Sequence, residues 1–293
     1  MTRSGMISIL GRPNVGKSTL FNALVGEKVS IVTDKPQTTR RRVCGVLNLD
    51  GAQLVFVDTP GFHKPRTALG RYMTDTAAVS AGDADCALLL IEPIAHVGTQ
   101  ESLLLERVKK SGVPCILVVN KIDTVPKEQL LPVISEYGKA YDFRAIVPVC
   151  AATKDGLDIL INELRPLIPE GPQLFPDGMT SDQAETAFIT EIIREKLLET
   201  LEQEVPHGIA VVADSVERRG LIEINATVYC EKASHKGIII GKDGALLGRA
   251  GKLARVELER LLGQKVLLKL WVKVKENWRD DPARLRSFGY GDV

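Results

Sequence analysis

The sequence contains no apolar run that approaches the length of a membrane-spanning helix. CALLLI, at residues 86–91, is among the longest runs, whereas crossing a bilayer takes about 20 apolar residues. The stretch MTRSGMISIL is not expected to be a signal peptide, because its short apolar run leads directly into a loop motif. We therefore expect no membrane-spanning helix.

Cysteine is scarce, and its spacing does not fit common metal or disulfide patterns. The cysteines are Cys44, Cys86, Cys115, Cys150 and Cys230. They are odd in number, and no pair is spaced as C-x-x-C. This scatter predicts reduced, mostly buried thiols in a cytosolic protein, with neither zinc nor disulfides.

Length and charge suggest two domains and a local polyanion site. A chain of 293 residues with 44% hydrophobic and 26% charged residues is typical of a globular protein with more than one core. The net charge is only +1, but residues 232–275 hold eleven basic and three acidic side chains, and residues 28–42 hold five and one. These stretches predict either a polyanion site or a solvated face.

The pattern of apolar segments changes near residue 168. Before it, continuous apolar runs such as QLVFVD and PCILVVN alternate with amphipathic segments, which predicts an α/β domain with a mostly parallel sheet over residues 1–168. Asp50 and Gly51 suit a tight turn in one antiparallel hairpin. Residues 169–181 are predicted to be a linker. Residues 182–293 predict an α+β domain of order α-β-β-α-α-β, with Asp182 capping its first helix.

A phosphate-binding loop follows the first apolar strand. GRPNVGKS fits G-x-x-x-x-G-K-[S/T], with a strand before it and a helix after it. Lys17 is placed to reach the β- and γ-phosphates, and the Ser18 hydroxyl to bind Mg²⁺. The predicted nucleotide contacts here are Gly11, Arg12, Pro13, Asn14, Val15, Gly16, Lys17, Ser18 and Thr19.

Three later segments complete a predicted guanine nucleotide site. In DTPG, Asp58 can serve the magnesium ion and the Gly61 N–H the γ-phosphate. In NKID, the Asp123 carboxylate can accept from guanine N1–H and its 2-amino group, which adenine does not offer. Further along, the Ala151 N–H is placed to meet guanine O6. The remaining predicted contacts are Thr59, Pro60, Phe62, Asn120, Lys121, Ile122, Cys150 and Ala152.

The position after Gly61 lacks a water-positioning glutamine. Phe62 and His63 stand there, so the attacking water must be oriented by other means, such as loop backbone, a monovalent cation or a partner. His63 is a weaker candidate for a base, because exposed loop histidines are usually inert. The sequence therefore predicts slow intrinsic GTP hydrolysis.

A second glycine-rich loop, in HKGIIIGKDGALLGRAG, lacks the G-K-[S/T] ending but fits G-x-x-G. Gly241 and Gly244 flank Lys242 and Asp243, which is the pattern of a KH clamp on about four nucleotides. Lys236 and Arg249 add positive charge, while Asp243 opposes it. In the last strand, KVLLKLWVKVK, alternation buries one face and exposes lysines with Trp271. That exposed face suits either RNA contact or solvent.

The motifs resemble those of the translation-factor-like GTPases, and KVSIVTDKPQTTRRR resembles the first switch region of the Era and TrmE group. This resemblance implies that Thr39 is a magnesium ligand supported by Thr38, and that Asn14 helps to bind potassium. Lys17, Thr39 and Gly61 are then the expected catalytic residues.

Over essentially the whole chain, the GTPase segment followed by the KH segment and by WVKVKENWRDDPARLRSFGY resembles the Era family. The resemblance implies a cytoplasmic, monomeric GTPase that binds small-subunit ribosomal RNA near its 3′ end and assists small-subunit assembly. It also implies peripheral contact with the inner face of the cell membrane. Two alternatives stay open: a membrane-associated signalling GTPase whose second domain binds protein or acidic lipid, and a P-loop kinase, against which NKID argues.

Overall fold

The computed structural model describes residues 2–35, 37–61, 65, 67–82, 84–201 and 208–290. Phe62 and His63 lie outside these residues. Within the described residues, no helix combines the length and the apolar character needed to span a bilayer. All five cysteines are buried.

The N-terminal sheet has six strands, in the spatial order β2-β3-β1-β4-β5-β6. They are β1 (Arg3–Gly11), β2 (Val43–Leu49), β3 (Ala52–Asp58), β4 (Cys86–Ile91), β5 (Cys115–Val119) and β6 (Ala145–Pro148). Among these described strands, only the β2–β3 pair is antiparallel, and the other neighbours are parallel. The predicted mostly parallel sheet with one hairpin is therefore confirmed.

Helices follow β1, β3, β4, β5 and β6 and cover the sheet. They are α1 (Lys17–Val25), α2 (Ala68–Gly82), α3 (Thr99–Ser111), α4 (Leu130–Ala140) and α5 (Leu157–Leu164). Every residue of β3, β4 and β5 is buried, as expected for strands covered on both faces. Because parallel strands end at one edge of the sheet, the segments that follow β1, β3 and β5 meet there.

The segment after α5 runs along the β2–β3 edge before the second sheet begins. Thr180 O accepts from Val46 N at 2.9 Å, and the Gln53 side chain bonds the Phe175 backbone. The predicted cap at Asp182 is wrong, because α6 (Glu185–Thr200) has Ala184 at its N-cap. Asp182 Oδ1 instead accepts from Cys44 N at 2.9 Å, so a tertiary bond takes the place of the local one.

The C-terminal sheet has the order β7-β8-β9. Its elements are β7 (Ala210–Arg219), β8 (Leu221–Cys230), α7 (Ala233–Ile240), α8 (Ala245–Leu262) and β9 (Val266–Val274), and α9 (Pro282–Ser287) follows. The β7–β8 pair is antiparallel and the β8–β9 pair parallel. Together with α6 this gives the predicted order α-β-β-α-α-β, and the loop Gly241–Gly244 joins α7 to α8.

Candidate functional site

The first glycine loop connects β1 to α1 and borders a cavity of about 320 Å³. Gly16 has a left-handed φ of 99°, and a Cβ at this position would lie 2.3 Å from Asn120 Nδ2. Glycine is therefore required by both backbone conformation and space. The loop approaches the NKID segment so closely that the phosphate and base motifs form one site.

Lys17 places a cation beneath this loop. Its Nζ donates to Gly11 O at 3.1 Å and to Arg12 O at 2.8 Å. Burial lowers the pKa of Lys17 to about 8, against the opposing effect of Asp58. A phosphate group near Nζ would favour the charged form and raise this pKa again.

Asp58, at the end of β3, gathers three hydroxyl groups. Its Oδ2 accepts from Ser18 Oγ and Ser30 Oγ, each at 2.8 Å, and from Thr39 Oγ1 at 3.3 Å. Ser18 Oγ and Thr39 Oγ1 are 3.0 Å apart. Asp58 Oδ1 is buried and has no hydrogen-bond partner among the described residues, and burial raises the pKa of this carboxyl.

This arrangement fits Mg²⁺, which prefers oxygen ligands. Three segments that are distant in sequence supply the oxygen atoms. They are the buried Oδ1 of Asp58 and the hydroxyls of Ser18 and Thr39, which lie close together. Ser30 was missed by the sequence reasoning, because it occupies no recognised motif position. Its role becomes visible only when the segment after α1 folds back over β3.

The base-binding segments are joined through Asn120. Its Nδ2 donates to Val15 O at 2.9 Å, and its Oδ1 accepts from Ala151 N at 3.1 Å. Asn120 thus connects the phosphate loop, β5 and the loop after β6. The predicted contact of Ala151 with guanine O6 stays a prediction.

Lys121 and Asp123 occupy the opposite side of the same loop. Lys121 has a left-handed φ of 61°, and its Nζ donates to Asn14 O at 2.8 Å. Cys150 Sγ donates to Asp123 Oδ1 at 3.2 Å, which orients the carboxylate expected to select guanine. Asp123 is exposed and therefore available to a base.

Glu92 is a functional candidate that the sequence reasoning missed. It bonds Arg12 Nη2 and Lys121 Nζ, each at 2.7 Å, and Glu101 holds Arg12 Nε at 2.8 Å. One carboxylate therefore ties the phosphate loop to the base loop. Glu92 directly follows the buried strand β4. Its place at the end of a parallel strand was the sequence feature that could have marked it as a site residue.

The phosphate-side cavity is lined by nine of the twenty-one described residues that were predicted to contact the nucleotide or its magnesium ion. Those that line it are Pro13, Asn14, Gly16, Lys17, Ser18, Thr19, Thr39, Gly61 and Lys121, joined by Val32, Thr33, Asp34, Gln37 and Thr38. Those outside its lining are Gly11, Arg12, Val15, Asp58, Thr59, Pro60, Asn120, Ile122, Asp123, Cys150, Ala151 and Ala152. The cavity is therefore the phosphate end of the site.

The second glycine loop opens onto a separate groove of about 390 Å³. Gly241, Asp243 and Gly244 all have left-handed φ, at 73°, 51° and 79°. The groove is lined by Gly244, Leu247, Gly248, Gly251, Lys252, Arg255, Leu268 and Leu270. The lining therefore combines glycines of α8 with two exposed basic side chains, Lys252 and Arg255.

The predicted RNA contacts and the lining of this groove have one residue in common. Only Gly244 of that set lines it, while Lys236, Lys242, Asp243 and Arg249 are exposed on the surface nearby and Gly241 is half-buried. The spacing of Gly244, Gly248, Gly251 and Arg255 is that of one helix face, and this signal was overlooked. Leu268 and Leu270, expected to be buried, are half-exposed because they face the groove.

The structure leaves the prediction for the basic face of β9 open but changes the prediction for the basic residues 28–42. Trp271 is 46% exposed on the outer face of β9, where Lys269 pairs with Glu223 at 2.5 Å, so the choice between RNA contact and solvent stays open there. In residues 28–42, however, neither alternative fits Lys28, Arg40 or Arg41, which contact the C-terminal half of the chain.

Comparison with known proteins supports both halves of this description. The family described as 50S ribosome-binding GTPase matches residues 6–121, and the KH domain family matches residues 204–279. GTPase Era of Ruminiclostridium cellulolyticum is 47% identical over 98% of this chain and 97% of its own, and that of Clostridium kluyveri is 48% identical over 99% and 100%.

Two solved structures match this chain over nearly its full length. Era in complex with MgGDPNP and nucleotides 1506–1542 of 16S ribosomal RNA has a TM-score of 0.96 at 38% identity, with 100% of both chains covered. A tyrosine-to-alanine variant of Aquifex aeolicus Era bound to GDP·AlF4⁻ has the same score and identity, with 99% of this chain and 100% of its own covered. The chain therefore belongs to the Era family of GTPases.

Proposed function

We propose that this GTPase binds small-subunit ribosomal RNA near its 3′ end and assists assembly of the small ribosomal subunit. The observation that carries the proposal is the groove beside Gly244, where glycines on α8 allow close approach of a backbone. Lys252 and Arg255 at its rim can neutralise phosphates. A related Era bound to a 16S ribosomal RNA segment supports the same assignment.

The nucleotide partners are GTP and GDP, with Mg²⁺ held by Ser18, Thr39 and Asp58. A magnesium ion there would neutralise charge on the β- and γ-phosphates. Lys17 would add a second positive charge, and the Gly61 N–H would hold the γ-phosphate. Because a water-positioning glutamine is absent from the sequence after Gly61, turnover without a partner should lie well below about 10 s⁻¹, the enzyme median.

A potassium ion beside Asn14 is part of the proposal. Asn14 Nδ2 donates to Asp34 O at 2.7 Å, which brings an amide and a backbone carbonyl together at the edge of the phosphate cavity. Amide and carbonyl oxygens are suitable ligands for potassium. GTP turnover should therefore be faster in potassium chloride than in sodium chloride at equal ionic strength.

The proposal divides the chain into a GTPase domain (1–168), a linker (169–181) and a KH domain (182–293). It places a monomeric protein in the cytoplasm, with peripheral contact at the inner face of the membrane.

The proposal also links the nucleotide site to the RNA site: GTP closes the loops around Thr39 and changes the affinity for RNA. Equal RNA affinity with GDP and with a GTP analogue would contradict this linkage.

Crosslinking to RNA tests the assignment. A fragment that ends with the 3′ terminus of 16S ribosomal RNA should crosslink to peptides containing Gly244 and Arg255, and the yield should depend on the nucleotide. Flotation with anionic liposomes at the same salt concentration tests the signalling alternative, since both interactions are electrostatic. Lipid binding without RNA crosslinking would favour that alternative.

A further inference from the structure

The segment 28–41 carries the magnesium-site residue Thr39, yet much of its surroundings comes from the C-terminal half of the chain. Ile31 is buried in the apolar core formed by α6, α8 and the second sheet. Lys28 Nζ contacts Glu195 on α6 at 2.6 Å and Glu257 on α8 at 2.5 Å. The conformation of this segment is thus set by two domains.

Glu195 holds the first part of the segment. Its side chain is 1% exposed, and its two oxygens have separate partners in the GTPase domain. Oε1 accepts from the Val32 backbone N–H at 2.8 Å, and Oε2 accepts from Lys28 Nζ and also, at 3.0 Å, from Lys196 Nζ of its own helix. A buried carboxylate that bonds one backbone donor and two cations restrains the Val32 N–H and the Lys28 ammonium, because breaking either bond would cost a buried charged group one of its partners.

Arg194, the preceding residue of α6, holds the last part. Its guanidinium is fully buried and donates to Thr38 O, while Glu191 pairs with the same nitrogen. Thr38 is bonded directly to Thr39 in the chain. A contact at this carbonyl therefore restricts where the Thr39 hydroxyl can lie relative to Ser18 and Asp58.

The two arginines after Thr39 contact the C-terminal half of the chain. Arg40 is buried, donates to Ile209 O at 2.6 Å and lies 5.9 Å from the Trp278 ring centre. Arg41 donates to Phe288 O and lies over a second aromatic ring. Contacts therefore flank Thr39 on both sides, and both sets originate outside the GTPase domain.

We propose that Arg194 and Glu195 are positioning residues of the GTPase reaction. Helix α6 stabilises the conformation in which Thr39 reaches the magnesium site, and so favours GTP over GDP. The inference goes beyond RNA binding and rests on the magnesium-site assignment, so it can be tested without RNA. Its failure would leave the proposed RNA function untouched.

Glu195→Ala is the informative variant. Lys28 keeps Glu257 as a partner, and the Val32 N–H lies on a partly exposed residue that water can reach. Loss of a hydrogen bond to a charged group should reduce affinity for a non-hydrolysable GTP analogue by about 10- to 100-fold. GDP affinity should stay within about twofold, because the switch loops are released when the γ-phosphate is absent.

Two variants on the same helix serve as controls. Glu195→Gln keeps an oxygen that can accept from Val32 N–H and should restore most of the analogue affinity. Glu199→Ala removes a carboxylate that is 40% exposed and contacts Lys196 at 3.0 Å. It should behave as wild type, because Lys196 keeps its contacts with Glu195 and Glu257. Affinities for the analogue and for GDP, and the single-turnover hydrolysis rate, are measured for each protein.

Equal losses of analogue and GDP affinity in Glu195→Ala would overturn the proposal, because they indicate general damage. Unchanged analogue affinity would overturn it as well. Amide hydrogen exchange of the wild-type protein provides a measurement that needs no variant. The Val32 amide should exchange at least tenfold more slowly with the analogue than with GDP, and equal rates would refute the role of Glu195.

Discussion

Replacing Gly244 by aspartate tests whether the second glycine loop contacts an RNA backbone. Gly244 has a φ of 79°, and no atom lies within 4 Å of an added Cβ. The side chain therefore fits, at a cost of about 1–2 kcal/mol for a left-handed residue. Asn and Asp tolerate this region better than most residues, so the fold should survive.

The expected loss comes from charge. If the new carboxylate lies about 6 Å from one phosphate, the repulsion is ~0.7 kcal/mol at the dielectric constant of water and ~2.8 kcal/mol at an effective value of 20. Because 1.4 kcal/mol corresponds to a factor of ten, RNA affinity should fall by about 3- to 100-fold. The groove is open to solvent on one side, which favours the lower half of this range.

Fluorescence anisotropy with a labelled RNA that ends at the 16S 3′ terminus measures the effect. Gly244→Asn is the matched control, since it has the shape of aspartate without its charge and should bind within about twofold of wild type. The difference between the two variants should shrink at high salt. Equal losses in both variants would show that shape, not phosphate repulsion, is responsible, and unchanged binding of Gly244→Asp would remove the groove from the RNA path.

Three further predictions concern the nucleotide site. Burial lowers the pKa of Lys17 to about 8, and bound phosphates favour its charged form. GDP affinity, measured by calorimetric titration, should therefore be constant below pH 8 and fall by up to about tenfold per pH unit above it. A constant affinity up to pH 10 would contradict this. Asp123→Asn should lower GTP affinity by about 100-fold or more and gain affinity for xanthine nucleotides, and an unchanged preference for guanine would refute the assignment. Glu92→Gln weakens two partly exposed ion pairs, with Arg12 and Lys121, and should lower GDP affinity about fivefold, near 1 kcal/mol, which a fluorescent-GDP titration would measure.

Much of the first sheet could be predicted because its signals are local. A strand buried on both faces must be apolar at every position, as β4 and β5 are, and this pattern needs no knowledge of neighbours. The four nucleotide motifs follow strand ends, and parallel pairing brings those ends to one edge. Their assembly at Asn120 therefore follows from topology alone.

The errors fall where a long-range contact replaces a local one. Asp182 has the spacing of a helix cap, but the Cys44 N–H competes for its carboxylate. Ser30 and Arg194 carry no motif, and their partners are distant in the chain. The basic stretch 28–42 suggested a polyanion, whereas the buried Arg40 donates to a backbone carbonyl and lies beside an aromatic ring of the C-terminal half. Composition gives the charge of a segment but not the surface that it meets.

The two glycine loops solve different binding problems, and this explains why neither could replace the other. In the first, Lys17 is buried and held by loop carbonyls, so its charge acts at low dielectric constant on a compact triphosphate. In the second, Lys242 and Arg249 stay exposed and the groove is open, which suits a long strand whose charges continue beyond the site. A strand that continues past the site can be bound by exposed cations along its path, whereas a compact triphosphate interacts more strongly with a cation that is shielded from water. The segment that carries Thr39 contacts both halves of the chain, and this position is the physical basis for the proposed linkage between the two sites.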